Sequence, residues 1–128
     1  MRIAKDEIPV RIDIPGATAR QQPDFGGLAG YETMGAEYFS LGAGADMTPL
    51  LAGLEHDLCY CPHWGYVISG ELTVTYKDGS TEKTRGGDMF YWPPFHTIRA
   101  EQDTEFVLFS PQHEHEDVME HIKGKLGG

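Results

Sequence analysis

An all-β domain closed by a short C-terminal helix is the fold class this 128-residue sequence predicts, and three observations carry it. Sixteen glycines and eight prolines are spread along the chain rather than pooled in one linker, so they cut it into short runs. Inside those runs apolar residues recur at every second position, as Leu72, Val74 and Tyr76 do against Thr73 and Thr75. After Pro111 the period changes. Val118, Met119, Ile122 and Leu126 fall three and four apart, which is one face of a helix.

The elements follow in chain order. Ile8, Val10, Ile12 and Ile14 alternate, an early strand suited to a sheet edge or to exchange between two copies. Residues 15–30 are rich in Gly, Pro and Gln and read as a loop, so 1–30 forms a loop-rich N-terminal arm. The barrel proper is expected over 31–111. Its first strand spans 31–41, followed by turn material at 42–46 and a further short strand at 47–54. Residues 65–69 and 71–76 are strands about a Ser69-Gly70 turn, and Asp78-Gly79 supplies the positive backbone angles of a tight hairpin into 81–84. Gly86-Gly87 turns the chain into an aromatic strand at 88–92. Pro93-Pro94 cannot donate to a central ladder, so the chain bends there before strands at 96–100 and 105–110. A helix over 112–123 and a tail complete the unit 112–128.

A chain of this length makes one domain that buries about two-thirds of its unfolded surface, so it needs no disulfide framework. Twenty acidic against ten basic residues give a net charge of −10, a field that repels nucleic acid and anionic membranes. Residues 1–14 interleave charges with single apolar residues and do not read as a signal peptide, and no stretch reaches transmembrane length. A cytoplasmic protein is the expectation.

The densest group of ligand-capable side chains is Glu55-His56-Asp57-Leu58-Cys59-Tyr60-Cys61-Pro62-His63. In an extended strand Cys59 and Cys61 point the same way with alpha carbons about 7 Å apart, beyond comfortable disulfide reach. Free thiols fit a reducing compartment and metal binding. Cys59, Cys61 and His63 share parity, and thiolate sulfur with imidazole nitrogen suits zinc. Three ligands on one strand rarely close a tetrahedron, so His96, after the Pro-Pro bend, is the expected fourth, with His56 in reserve. The alternative is core packing, because buried cysteine also behaves as a small hydrophobe. His113-Glu114-His115-Glu116-Asp117 reads as a solvated helix face, and Asp117 with His121 as a surface pair one turn apart. The aromatics around the cluster, among them Trp64, Phe90, Trp92 and Phe95, fill the barrel interior or a subunit contact.

His63-Trp64-Gly65-Tyr66-Val67-Ile68-Ser69-Gly70-Glu71-Leu72 resembles the end of the first cupin motif. Gly87-Asp88-Met89-Phe90-Tyr91-Trp92-Pro93-Pro94-Phe95-His96 resembles the second. The likeness runs over residues 55–110 and implies a cupin-type double-stranded β-helix, the jelly-roll barrel. It also implies a divalent metal in the barrel and pairing of two barrels as a homodimer. By motif position His63 falls in the slot of the metal-ligating acid and His96 in that of the second motif's histidine. Cys59 falls in one slot of the His-x-His pair, whose other positions hold His56, Asp57 or Leu58. Cys61 has no counterpart. Phe95 stands where the family usually has glycine, and Ala100 where it has asparagine. A Cys/His set favours zinc, whereas the His/carboxylate sites of the family suit iron, manganese or nickel.

The function expected is therefore a small cupin-fold metal-binding protein of unassigned activity, with Cys59, Cys61, His63 and His96 as ligands. Two alternatives stand beside it. One is a metalloenzyme of dioxygenase, isomerase or lyase type acting on a small molecule at the barrel mouth. The other is a metal-free ligand-binding or structural cupin. Four protein ligands would close the coordination shell and argue for structure over catalysis.

Overall fold

The computed structural model describes residues 1–127. Its strands are β1 (Val10–Ile14), β2 (Ala17–Gln22), β3 (Met34–Leu41), β4 (His63–Ser69), β5 (Glu71–Tyr76), β6 (Thr81–Arg85), β7 (Met89–Trp92), β8 (His96–Ala100) and β9 (Thr104–Pro111). Two helices join them, α1 (Thr48–Leu51) and α2 (Gln112–Lys125). Six strands form one antiparallel sheet in the order β1-β2-β3-β9-β4-β7, and three form a second in the order β6-β5-β8. The core lies between them, where Leu72, Val74 and Ile98 of the small sheet meet Phe39, Val67, Trp92, Phe106 and Leu108 of the large one.

Strict alternation decides which side chains enter the barrel. Along β9, Thr104, Phe106, Leu108 and Ser110 are buried, and along β3 Glu37, Phe39 and Leu41 share the inner face. Gly35 pairs with Ser110 and Glu37 with Leu108, so the carboxylate of Glu37 and the hydroxyl of Ser110 enter the barrel as neighbours. On β4 the side chain of Gly65 is missing for a reason. A β-carbon there would lie 2.2 Å from the Val107 carbonyl oxygen and 2.4 Å from the Phe90 ring.

Three elements differ from the sequence expectation. Residues 17–22 form a strand rather than a loop, hydrogen-bonded to β1 on one side and β3 on the other. Its buried positions are Ala19 and Gln21, a small and a polar residue, so no apolar alternation marks it. Residues 48–51 form a helical turn rather than a strand. Asp46 Oδ1 accepts the Thr48 amide at 2.9 Å and Pro49 sits in the first turn, where its missing N–H is harmless. In β1 the register shifts between Val10 and Ile12, which turns Val10 outward and keeps Ile12 buried.

Helix α2 lies across the barrel with His115, Val118, Met119 and Ile122 buried. Leu126, counted into the same stripe by period, lies past the helix end and is exposed. His121, expected on the surface, is half-buried and donates from Nε2 to the Ala52 carbonyl at 2.8 Å, fastening α2 beside α1.

Candidate metal centre

Backbone pairing between distant segments builds the site. Cys59 precedes β4 yet bridges to the first residue of β8: the Cys59 amide donates to His96 O at 2.9 Å and the His96 amide to Cys59 O at 3.2 Å. His63, first residue of β4, stands opposite Trp92, last residue of β7. Cys59, His63 and His96 are all buried, and one donor atom from each lies within 4.8 Å of the other two. The Cys59 sulfur is 3.5 Å from His63 Nε2.

The outer nitrogens of both imidazoles are fixed by the fold. His96 donates from Nδ1 to the Pro93 carbonyl at 2.7 Å, which leaves Nε2 with a free lone pair. His63 Nδ1 lies 2.6 Å from Ser110 Oγ, and the Ser110 hydroxyl donates onward to Glu37 Oε2 at 3.5 Å. His63 Nε2 is thereby the acceptor turned towards Cys59. Burial, reinforced by His115 and His96, holds the His63 imidazolium well below its ordinary range, and burial brings His96 down to about 4. Both rings are therefore neutral at pH 7, as metal ligation requires. Burial pushes the Cys59 thiol up to about 12, so the free site holds a thiol that a bound cation would ionise.

Phe95 carries the tension of this arrangement. It adopts φ +72°, the left-handed region, at the position where the motif usually has glycine. Its amide donates to Cys59 O at 2.7 Å, and the edge of the His56 ring packs against it with centroids 5.1 Å apart. The strained residue so placed aims His96 at Cys59.

Cys61 does not join the other three expected ligands. Shared parity of Cys59, Cys61 and His63 requires an extended segment over 59–63, but the chain bends at Cys61. The Cys61 sulfur lies fully buried near the carbonyls of Pro62 (3.4 Å) and Pro111 (3.9 Å). His56 is exposed on the 3-10 turn Glu55–Asp57.

Of the buried polar residues beside the site, His115 was expected on a solvated helix face, and Gln21, Glu37 and Ser110 were not singled out. His115 is buried on α2, its ring 4.6 Å from that of His63 between centroids, and it donates from Nδ1 to Glu37 Oε1. Gln21 also donates to that oxygen at 3.4 Å and in turn accepts from Arg11, which reaches Glu116 and Glu120 on the outer face of α2. The signal was present: His115 stands three and four residues before Val118 and Met119, on the face already assigned to the core.

The cluster forms the polar end of an otherwise apolar cavity of about 60 Å³ beneath α1 and α2. Ile12, Phe39, Leu41, Leu51, Met119 and Ile122 supply its greasy wall. No Lys, Arg, Asp or Glu is among the residues lining it.

No family model matches the chain, and no curated protein does. Among solved structures it is similar to oxalate decarboxylase of Bacillus subtilis, a protein with Mn(II) centres, at TM-score 0.60 and 22% identity over 86% of this chain. The oxalate decarboxylase of Lactobacillus farciminis, solved as a formate complex, gives TM-score 0.61 and 19% identity over 86% of the chain. Ectoine synthase from P. lautus gives TM-score 0.57 and 18% identity over 83% of this chain and 74% of its own. The chain spans only 29% and 32% of the two decarboxylases. These likenesses show the fold, a cupin jelly roll, as the two motifs imply.

Proposed function

We propose that this cupin-fold chain is a metal-binding protein that holds one divalent ion, zinc, through Cys59, His63 and His96. The observation that carries the reading is the convergence of three buried donors from separate segments, each imidazole anchored through its other nitrogen. A thiolate and two neutral imidazoles are borderline-soft donors, the set that suits zinc better than manganese. The decarboxylase with Mn(II) centres is thus a guide to the fold rather than to the ion.

Three protein ligands favour a second element of the reading. With Cys61 outside the group, Cys59, His63 and His96 would give a bound ion three protein ligands. All three line the cavity, so a small molecule there could complete the shell, which is how reactive centres differ from structural ones. That supports a metalloenzyme, of dioxygenase, isomerase or lyase type, over a purely structural site.

Elemental analysis of protein purified without an affinity tag is expected to give one zinc per chain. Cys59→Ala and His96→Ala should each weaken zinc by on the order of 100-fold or more, whereas Cys61→Ala should retain it. Full retention in both of the first two variants would sink the assignment.

The chain is further read as a cytoplasmic homodimer. Both cysteines are free thiols, in keeping with a reducing compartment, and no helix among the described residues is long and apolar enough to cross a membrane. The outer face of β9, β4 and β7 exposes Phe109, Trp64 and Tyr91 in one row and Tyr66 beside Met89 in the next. Such a contiguous aromatic patch is suited to a second copy. Light scattering should give twice the chain mass, and Trp64→Glu with Tyr91→Glu should halve it; a monomeric wild type rules the dimer out.

A further inference from the structure

We infer that the cavity takes a small monoanionic carboxylate with an apolar tail, its oxygens at the Cys59, His63 and His96 centre and hydrogen-bonded by the indole N–H of Trp92. The inference rests on the metal reading above and adds the chemistry of what the open position receives.

Three observations converge on that class. Trp92 lines the cavity and is 1% exposed, yet its Nε1–H has no hydrogen-bond partner among the described residues. A buried donor left unpaired is costly, so a ligand oxygen that pairs it is favoured over one that does not. The indole stands beside the donors, with ring centroids 6.2 Å from His63 and 5.7 Å from His96, and Phe90 stacked on it at 3.8 Å holds its plane.

Charge is the second argument. A divalent ion on one thiolate and two neutral imidazoles carries one net positive charge. A monoanion neutralises it, whereas a dianion would leave a negative charge in an apolar cavity whose lining holds no Lys or Arg. The carboxylate nearest the cluster, Glu37, does not line the cavity, and its oxygens are already engaged by His115, Gln21 and Ser110.

Shape is the third. The wall away from the cluster is aliphatic and aromatic, and 60 Å³ is well below the roughly 150 Å³ of a cavity known to hold benzene. The tail is therefore short, of one to three carbons. It lies against Ile12, Ala19, Phe39 and Leu41.

The test uses the full chain loaded with Co(II), whose thiolate charge-transfer and ligand-field bands report on the centre without any assay of turnover. Propionate is expected to shift those bands saturably, and oxalate to bind at least tenfold more weakly. Trp92→Phe should load cobalt normally but need roughly tenfold more propionate, the value of one hydrogen bond to a charged group. If that variant does not fold, Ala19→Val decides, since it fills tail space and should weaken propionate alone. Equal propionate affinity in wild type and the folded variant overturns the inference, as does oxalate binding as tightly as propionate. Either of these with one cobalt bound per chain leaves the metal reading standing. Failure to load cobalt at all overturns the metal reading, and the carboxylate inference with it, because the charge that selects a monoanion comes from the bound ion.

Discussion

His115→Ala is expected to destabilise the protein by about 3 kcal/mol, read as a lower urea midpoint at unchanged slope. His115 is the principal partner of the Glu37 carboxylate, whose side chain is wholly shielded from solvent. Its removal leaves that carboxylate to Gln21 at 3.4 Å and to Ser110 at 3.5 Å, two long contacts to neutral groups. The loss should be concentrated in α2, because His115 is the helix's one buried polar anchor to β3, and hydrogen exchange along 112–125 should accelerate first. Glu37→Ala with His115→Ala should cost less than the two single changes added together, since no charge is then stranded. A single-variant loss under about 1 kcal/mol would mean that the pair contributes little.

Gly70→Ala should cost about 4 kcal/mol and lower Tm by on the order of 15 °C, measured by calorimetry. Two effects add. Gly70 turns the chain from β4 into β5 at φ +95°, a region that penalises any β-carbon. A β-carbon there would also stand 2.3 Å from Thr104 Oγ1, 2.4 Å from the Asp103 carbonyl and 2.7 Å from Thr104 Cα, two of them backbone atoms that cannot swing aside. Gly79→Ala isolates the first effect. It shares the left-handed conformation, φ +85°, with nothing within 4 Å, so only about 1 kcal/mol should be lost. Equal losses in the two variants would show that the packing of the β4–β5 turn against residues 103–104 is not tight.

Much of the barrel was legible because its strands obey local rules. Leu72 and Val74 alternate with threonines and are buried, Asp78-Gly79 turns the hairpin, and Pro93-Pro94 separates β7 from β8. The misses differ in cause: the turn at 48–51 is set locally by Asp46 and Pro49, whereas β2 depends on a distant partner. β2 presents Ala19 and Gln21 inward, and Gln21 is buried because Glu37 is there to receive it, a partner sixteen residues away. His115 reads as surface from its neighbours Glu114, Glu116 and Asp117, although its spacing to Val118 and Met119 already places it on the buried face.

The candidate centre divides along the same line. Residue types and motif spacing alone predicted the fold class and singled out Cys59, Cys61, His63 and His96, because ligand chemistry and strand period are properties of short segments. Motif position favoured Cys59 over Cys61, but which cysteine faces the histidines was settled by tertiary structure. Parity made Cys59 and Cys61 equivalent, but it presumes an extended chain from 59 to 63, and the bend at Cys61 breaks that presumption. The backbone bridge from Cys59 to His96 then selects one thiol, because a hydrogen-bonded pair between remote strands fixes a side chain's direction as no local pattern does.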